Sequence, residues 1–432
     1  MANFIEPRIL KGFRDFLPPA EIARRNLIER IEASFRSYGF VPIDTPALEY
    51  AEILLGKGGG ETEKQIYRFN DNGGRDVALR FDLTVPFARF LAEHRGELSL
   101  PFKRYHIAKV WRGENTQRGR YREFTQCDFD IVGSDSPAAD FEVLLIMRNT
   151  LRAIGAGELT IRVNHRGLFN RFLARLGVSE QSVEILRTVD KLTKIGREET
   201  LCQLSDLSGP DKAGAILGFI EAKGSFEETL ETISNAVGGD APESERLRIL
   251  RRFMVDTGTA DSFVLDPSIT RGLDYYTGIV YETFLNELPG IGSVCSGGRY
   301  DNLAGLYSKE QVSGVGSSIG LDRLIAALEF LGKLAAPPSY TQAVIACVHE
   351  AEAGLYQALA GKFRDAGIPC EVFLEEGKLT RQFILAEKKG ARWLVIPGNE
   401  PLTGPLTLRD LGKRENREGL SWEEAAALIN TP

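Results

Sequence analysis

Cysteine is scarce in this sequence, and its placement excludes two kinds of structure. The 432 residues include five cysteines, an odd number, and no two of them form a Cys-x-x-Cys pair. Disulfide frameworks and structural zinc sites both require paired or closely spaced cysteines. The four histidines are equally scattered along the chain. We therefore expect no disulfide framework, no structural zinc and no metal held by protein side chains alone.

Long apolar runs are also missing. No stretch is apolar for long enough to span a bilayer, and the first eight residues lack the basic patch and apolar run of a secretory signal. With 43% hydrophobic and 26% charged residues, the composition is that of an ordinary globular protein. We therefore expect a cytoplasmic protein that does not associate with membranes.

The sequence also has no excess of positive charge. The formal net charge of -7 argues against a protein that coats nucleic acid nonspecifically, because such binding grows with the number of Lys and Arg contacts to phosphate. One dense group of cations nevertheless stands out against only Glu114 and Glu123. It comprises Lys103, Arg104, Lys109, Arg112, Arg118, Arg120 and Arg122. This group is either a solvated face or a surface that binds phosphate or RNA.

The first part of the chain predicts a sheet with a helical insertion. Leu27, Ile31 and Phe35 fall on one face of a helix predicted for residues 20–37, which ends before Gly39. Strands are predicted at residues 40–43, 77–82, 105–111, 124–132, 159–164, 262–265 and 279–284, with a helix at 140–154. Strands joined by long loops favour an antiparallel or mixed sheet. Helical spacing then predicts an inserted region at about residues 177–260.

A proline-containing linker, residues 333–339, is predicted to separate two domains. Pro337 and Pro338 bar helix continuation there and stiffen the connection. Beyond it, strands and helices alternate, which predicts a small α/β domain over residues 340–432. Its predicted strands are 343–348, 368–373 and 391–396, and its predicted helices are 351–366, 381–389 and a last one that begins with a capping box at Ser421 and Glu424. The chain as a whole is predicted to be an α/β (α+β) protein.

The arginine-rich loop that begins at Arg112 leads into a strand with two different faces. Alternation places Gln126, Asp128 and Asp130 on one face, opposite Cys127, Phe129 and Ile131. Arginine forks match phosphate oxygens in pairs, whereas carboxylates suit a cationic or hydrogen-donating ligand. A ladder of surface salt bridges is the simpler alternative.

Two further clusters favour a ligand site over that alternative. Residues 271–278 (RGLDYYTG) combine an arginine, an aspartate and two tyrosines beside a predicted strand. The glycine-rich strand 314–320 runs into a helix that opens with Asp322 and Arg323, where glycines admit a nucleotide and the arginine reaches its phosphates. No Gly-Lys-Ser or Gly-Lys-Thr follows, so the segment is not a P-loop.

Together these motifs resemble the histidyl-tRNA synthetases, a family of class II aminoacyl-tRNA synthetases. Residues 11–15 resemble the family's opening, and residues 39–46, the Arg112 stretch and residues 316–323 resemble the three class II motifs. The segments 271–276 (RGLDYY) and 297–301 (GGRYD) resemble signatures particular to histidyl enzymes. The resemblance implies a catalytic domain with an antiparallel sheet at residues 1–332 and an anticodon-binding-like domain at 340–432.

The resemblance also implies substrates, partners and residue roles. Histidine is activated with ATP, Mg²⁺ accompanies the ATP, and histidine is then transferred to its tRNA by a homodimer. Arg112 and Arg271 are implied to be catalytic. ATP is implied to bind Arg112, Glu114, Gln117 and Arg323. Histidine is implied to bind Asp82, Thr84, Gln126, Asp130, Tyr275 and Tyr276.

Some features leave alternatives open. Many bacterial members carry Glu where this chain has Asp82 and Asp130, so these motifs look more like the eukaryotic and atypical bacterial branch. A regulatory paralogue, of the type that serves ATP phosphoribosyltransferase as a histidine-sensing subunit, is the main alternative to a ligase. Such paralogues usually lack the 271–276 signature and the C-terminal domain, both of which this sequence has. A synthetase-like RNA sensor from a larger kinase fits poorly, because no kinase motif is present.

Overall fold

The structure is a computed structural model that describes residues 4–56, 63, 65–269, 276–301, 305, 307 and 311–431. The chain divides into two compact units. The first comprises Met1–Arg14 and Leu27–Leu334, and the second comprises Asp15–Asn26 and Ala335–Pro432. The boundary between Leu334 and Ala335 thus falls within residues 333–339, the stretch predicted as a linker.

The first unit is built on an eight-stranded sheet in the order β1-β5-β6-β11-β10-β9-β7-β8. A smaller sheet has the order β2-β4-β3. The strands are β1 (Val41–Pro42), β2 (Leu48–Tyr50), β3 (Arg68–Asn70), β4 (Asp76–Leu79), β5 (Phe102–Trp111), β6 (Glu123–Val132), β7 (Leu159–His165), β8 (Phe263–Leu265), β9 (Ile279–Leu285), β10 (Cys295–Tyr300) and β11 (Gly314–Gly320). The pairs β1–β5 and β7–β8 are parallel, and the central pairs are antiparallel.

The helices up to Phe330 include those that pack on the apolar face of this sheet and those that form the insertion between β7 and β8. They are α1 (Pro18–Ser37), α2 (Ala51–Leu55), α3 (Thr84–Glu93), α4 (Pro137–Ala153), α5 (Arg166–Arg175), α6 (Ser182–Asp190), α7 (Leu192–Ile195), α8 (Arg197–Ser208), α9 (Pro210–Ile220), α10 (Phe226–Ala236), α11 (Pro242–Asp256) and α12 (Leu321–Phe330). Leu27, Ile31 and Phe35 of α1 are buried in the main core, as their spacing predicts. The inserted helices contribute to the same core, which joins them to the sheet.

The two faces of β6 are chemically different. Cys127, Phe129 and Ile131 are buried in the main hydrophobic core, against α1 and α4. The alternate residues Gln126 and Asp130 are also buried, on the opposite face of the strand. The sheet therefore presents an apolar face to the helices and a buried polar face to the candidate site.

The second unit contains a five-stranded sheet in the order β13-β12-β14-β15-β16. Its strands are β12 (Ala343–Ile345), β13 (Cys370–Val372), β14 (Trp393–Pro397), β15 (Leu406–Asp410) and β16 (Glu415–Leu420), and its helices are α13 (Ala353–Asp365), α14 (Leu379–Lys388) and α15 (Trp422–Asn430). The predicted capping box at the start of α15 is formed, because Ser421 and Glu424 each bond the other's backbone N–H.

The predicted α/β (α+β) class, with an antiparallel sheet in the first unit and a small α/β domain in the second, is confirmed. Two details differ. The strand predicted for residues 77–82 ends at Leu79, so Arg80 and Asp82 lie in the turn that follows it. Strands β2, β3, β10, β15 and β16 were not predicted as strands. In the part of the chain that the structure describes, no helix has the length and apolarity to cross a membrane.

Candidate active site

The polar face of the central sheet consists of three rows of paired residues on β5, β6 and β11. Antiparallel pairing puts each row's side chains on one face, a few ångströms apart. The rows are Arg104–Asp130–Gly316, His106–Asp128–Ser318 and Ala108–Gln126–Gly320. The strand positions predicted to bind a ligand therefore lie between β5 and β11, near the middle of the sheet.

Asp130 is held by two residues that are distant in sequence. The Tyr300 hydroxyl donates to Asp130 Oδ1 at 2.6 Å, and Arg104 Nη2 lies 2.6 Å from Oδ2. A Cβ on Gly316 would lie 1.9 Å from Oδ1, so only glycine leaves room for this carboxylate. Burial raises the pKa of Asp130, and the Arg104 guanidinium opposes that rise.

Arg104 does not belong to a basic surface, contrary to one interpretation of the sequence. Its side chain is 0% exposed, and its guanidinium lies 4.2 Å from the centre of the Phe87 ring. A buried guanidinium needs a carboxylate partner, and Asp130 supplies it through the pairing of β5 with β6. The cation group therefore divides into a buried member and members near the solvent.

Gln126 and Asp128 carry acceptor atoms that remain unused. Gln126 Nε2 donates to Ser318 Oγ at 2.9 Å. Among the residues that the structure describes, Gln126 Oε1 and Asp128 Oδ1 are buried and have no hydrogen-bond partner. Buried polar atoms without partners are rare in proteins and often mark ligand sites.

Asp82 and Thr84 lie at the start of α3, close to this face. Asp82 is 1% exposed and its Oδ1 accepts the Val85 N–H at 3.1 Å, as in a helix cap. The carboxylate is near enough to Asp128 to raise the pKa of that residue. The structure thus brings the predicted Asp82 and Thr84 to the same site as Gln126 and Asp130.

Arg112 follows β5 and lies beside the Asp82 turn. Its Nε donates to the Phe81 carbonyl at 2.9 Å, and its guanidinium lies 5.1 Å from the centre of the Phe124 ring. The side chain is partly exposed. Anchored through Nε and partly exposed, this guanidinium suits a phosphate ligand.

The loop between β5 and β6 reaches the start of α12. A Cβ on Gly119 would lie 3.2 Å from the Arg323 Cα, so glycine allows the close approach. Glu114 is partly buried, with its carboxylate 3.8 Å from Arg120, whereas Gln117 is exposed and bonds Arg120 only through backbone. The structure therefore brings this loop and Arg323 together, at one end of the polar face.

Two residues that received no predicted role hold this loop in position. Asp322 Oδ2 accepts the Thr125 N–H at 2.7 Å, and its other oxygen pairs with Arg14. The Arg14 guanidinium lies 3.5 Å from the centre of the Tyr121 ring. Both residues stand inside motifs that the sequence singled out, so the signal was present, but the contacts join positions far apart in the chain.

Tyr276 is the described member of the predicted pair of tyrosines. Tyr276 is partly buried, and a Cβ on Gly298 would lie 2.8 Å from its ring, which shows how closely β10 passes it. Arg271 and Tyr275 lie outside the described residues. Among the residues described, no group of three or more His, Cys, Asp or Glu side chains could hold a metal ion.

Comparison with protein families assigns both parts of the chain. The model of the family described as "Histidyl-tRNA synthetase" matches residues 12–324. The model described as "Anticodon binding domain" matches residues 342–431. The first match includes each predicted site residue, and the second covers most of the predicted C-terminal domain.

Individual relatives agree over nearly the full length. A protein of Treponema denticola named histidine–tRNA ligase is 56% identical over 399 residues, which cover 91% of this chain and 89% of the relative. A protein of the same name from Rhodopirellula baltica is 48% identical and covers 98% of both chains.

Solved structures show the same relationship. The crystal structure of histidyl-tRNA synthetase from Nostoc sp. PCC 7120 is 33% identical, covers 99% of both chains and has a TM-score of 0.84. A Bacillus halodurans structure titled "ATP phosphoribosyltransferase regulatory subunit/histidyl-tRNA synthetase" has a TM-score of 0.74 at 22% identity, which shows a shared fold alone. The family match and these relatives lead to one conclusion: the chain belongs to the histidyl-tRNA synthetase family.

Proposed function

We propose that this chain activates L-histidine with ATP and transfers the histidine to the 3′ end of its tRNA. The observation that carries the proposal is the buried polar face of β6, with Arg112 at its edge. Unused acceptor atoms on that face suit a hydrogen-donating cation, and a partly exposed arginine beside them suits a phosphate. A regulatory paralogue is less well supported, because residues 342–431 match an anticodon-binding domain.

At the ATP end, Arg112 is proposed to hold the α-phosphate and Arg323 the γ-phosphate. Glu114 and Gln117 are proposed to border the adenine. The close approach of Gly119 to Arg323 supports this arrangement, because it brings the loop and the helix start to one place. Arg271 is proposed to lie by the substrate carboxylate as a second catalytic cation, on the strength of its sequence motif.

At the histidine end, Asp82, Thr84 and Gln126 are proposed to bind the α-ammonium group. Asp130, with Tyr275 and Tyr276, is proposed to recognise the imidazole ring. The Tyr300 hydroxyl and Arg104 hold Asp130 in one orientation, which a selective hydrogen bond to imidazole requires.

The chemistry needs positioning and charge neutralisation more than it needs an enzyme nucleophile. The histidine carboxylate attacks the α-phosphorus of ATP, and pyrophosphate leaves, so the arginines stabilise negative charge on phosphate. Mg²⁺ is proposed to enter with ATP and to neutralise phosphate charge. A ribose hydroxyl of the tRNA then attacks the carbonyl of the adenylate and displaces AMP.

Three further properties are proposed from family membership. The domains are proposed to be residues 1–332 and 340–432, joined by the linker 333–339, with the second domain binding the anticodon. The chain is proposed to be a homodimer, which sedimentation equilibrium tests. It is also proposed to be cytoplasmic, which cell fractionation tests.

The deciding experiment is ATP–pyrophosphate exchange with each amino acid in turn. We expect exchange of labelled pyrophosphate into ATP only with histidine. Exchange without an amino acid, or with a different one, overturns the proposal. Charging of histidine tRNA then tests the second step.

Substitution of Arg112 or Arg271 tests the catalytic roles. We expect Arg112→Ala to lower the exchange rate by about 10²–10³, as loss of one charge-stabilising donor does. Arg271→Ala is expected to act in the same direction. Arg25→Ala, at a strongly exposed arginine that pairs with Glu21, is the matched control and is expected to leave the rate unchanged. Unaltered exchange in Arg112→Ala excludes it as the phosphate clamp.

A further inference from the structure

Asp128 lies on β6 between Gln126 and Asp130, the two strand residues to which the proposed function gives a role. Asp128 itself has no role in that proposal. It occupies the middle row of the polar face, opposite His106 on β5 and Ser318 on β11. Its side chain is 2% exposed. The Ser318 hydroxyl hydrogen-bonds the carboxyl group, yet Oδ1 has no partner among the described residues. This position therefore contains a buried acceptor with unused capacity.

Among the described residues, two other carboxyl groups face Asp128. Those of Asp130 and Asp82 are near enough to add to the rise in its pKa that burial causes. Arg104 is the cation that most strongly opposes this rise, and it is already 2.6 Å from Asp130. Burial lowers the pKa of His106 to about 4, so this ring is neutral at pH 7. A cationic ligand would correct the imbalance.

Arg80 does not correct it. Its side chain is buried near Asp128, but Nε donates to the Lys109 carbonyl at 3.0 Å and Nη1 donates to the Thr45 carbonyl. Its Nη1 also lies 3.9 Å from the Asp44 carboxylate. The pKa of Asp128 accordingly rises to about 7, chiefly because the carboxyl group is buried.

The geometry also suits a primary ammonium group. Such a group has three N–H donors and accepts nothing. Gln126 Oε1 and Asp128 Oδ1 are neighbouring, buried acceptors on one strand face, and neither has a partner among the described residues. Together these two side chains supply two acceptors for such a group.

We propose that Asp128 is a further substrate-binding residue, whose Oδ1 accepts a hydrogen bond from the α-ammonium group of histidine. The inference rests on the proposed function and deepens it, because it adds a charged group to the recognition of the amino acid. Asp128 then selects for a charged amine, whereas Asp130 selects for the imidazole ring.

Two competitive inhibitors separate these roles. Histidinol keeps the amine and the imidazole, whereas imidazolepropionate keeps the imidazole and lacks the amine. Each is measured against histidine in pyrophosphate exchange, with the full-length wild type, Asp128→Asn and Asp128→Glu. Asp410→Asn, at a buried carboxylate of the second unit, is the matched control.

We expect Asp128→Asn to raise the inhibition constant of histidinol by about tenfold or more, since the charged acceptor is replaced by a neutral one. The inhibition constant of imidazolepropionate is expected to stay within about twofold, because that molecule has no ammonium group. Asp128→Glu, which keeps the charge, is expected to recover part of the histidinol binding. Asp410→Asn is expected to match the wild type.

Equal weakening of both inhibitors overturns the inference, because Asp128 would then act on the imidazole or on the fold. Unchanged histidinol binding overturns it as well. In either case histidine-dependent exchange by the wild type leaves the proposed function standing, whereas its absence removes the proposed function itself. If Asp128→Asn does not fold, a crystal structure of the wild type with histidinol decides: an amine nitrogen more than about 3.2 Å from Oδ1 overturns the inference.

Discussion

Two buried aspartates in the first unit, Asp140 and Asp130, show how the same ion pair chemistry serves different purposes. Asp140 is 0% exposed and Asp130 is 2% exposed. Burial raises the pKa of both carboxyl groups, and a nearby guanidinium opposes the rise in each. The two sites differ in how completely their charges are matched.

Asp140 has a cation on each oxygen. Arg299 Nε donates to Oδ1 at 2.7 Å, and Arg246 Nε donates to Oδ2 at 2.6 Å. Arg299 also donates to the Ser134 carbonyl and the Ser313 hydroxyl. With a guanidinium group on each oxygen, this carboxyl group joins α4, α11 and β10.

At the Asp130 site, the described residues do not supply a donor for every buried carboxyl oxygen. Arg104 pairs with Asp130, while the nearby Asp128 keeps an unused oxygen among the described residues. A buried charge without a partner is costly, and a cationic ligand can supply one. The comparison indicates that an unused carboxyl oxygen distinguishes the candidate site from the ion cluster at Asp140.

The largest expected effects, on the free energy of unfolding and on the KM for histidine, come from the neutralisation of Asp140 and of Asp130 in turn. Asp140→Asn leaves two guanidinium groups without their carboxylate, so we expect the free energy of unfolding to fall by about 3–5 kcal/mol. Its KM for histidine is expected to change by less than about twofold. Asp130→Asn is expected to raise that KM by at least about tenfold. Urea unfolding and pyrophosphate exchange measure the two quantities. A similar rise of KM in both variants would contradict the comparison.

A smaller effect is expected when pH changes the free energy of unfolding. The pKa of Asp128 rises from 3.8 to about 7 in the folded protein, so between these values the native state keeps a proton that the unfolded chain has lost. The stability that this group contributes is therefore present at pH 4 and lost as the pH rises through 7. The Asp128→Asn variant has no carboxyl group to titrate at this position. The difference in the free energy of unfolding, variant minus wild type, is therefore expected to increase from pH 4 to 7.5.

Urea unfolding without histidine, at several pH values, checks this expectation. The lowered pKa of His106 gives a slope of opposite sign, but it is common to both proteins and largely cancels in the difference. Parallel pH profiles for the two proteins would show that Asp128 is ionised normally and that the site has no charge imbalance.

The smallest effects are expected from the hydroxyl groups that support the two sites. Tyr300→Phe removes the donor to Asp130, so we expect a rise in the KM for histidine of about three- to tenfold. Ser313→Ala removes an acceptor from Arg299, so we expect a loss of about 1 kcal/mol in the free energy of unfolding and no change in KM. If Ser313→Ala raises the KM for histidine and Tyr300→Phe does not, the assignment of the two sites is wrong.

Local patterns in the sequence were enough to predict much of the fold. The two-residue period of β6 correctly separates the core residues Cys127 and Phe129 from the polar Gln126 and Asp130, because pleating alternates side chains. Strands β10 and β16 lack an apolar pattern and escaped prediction. β10 is rich in glycine, and β16 is polar and almost entirely exposed, so neither has the alternation of a half-buried strand.

The sequence by itself therefore determined the family and the class of fold, and it predicted which strand carries the candidate site, since these depend on motifs and on local periodicity. Only the tertiary structure decided that Arg104 is buried against Asp130, that Tyr300 holds the same carboxylate and that Asp128 keeps an unused oxygen. The physical reason is that burial and charge pairing depend on which strands lie side by side. Strand β6 pairs with β5 and β11, and the latter is more than a hundred residues away.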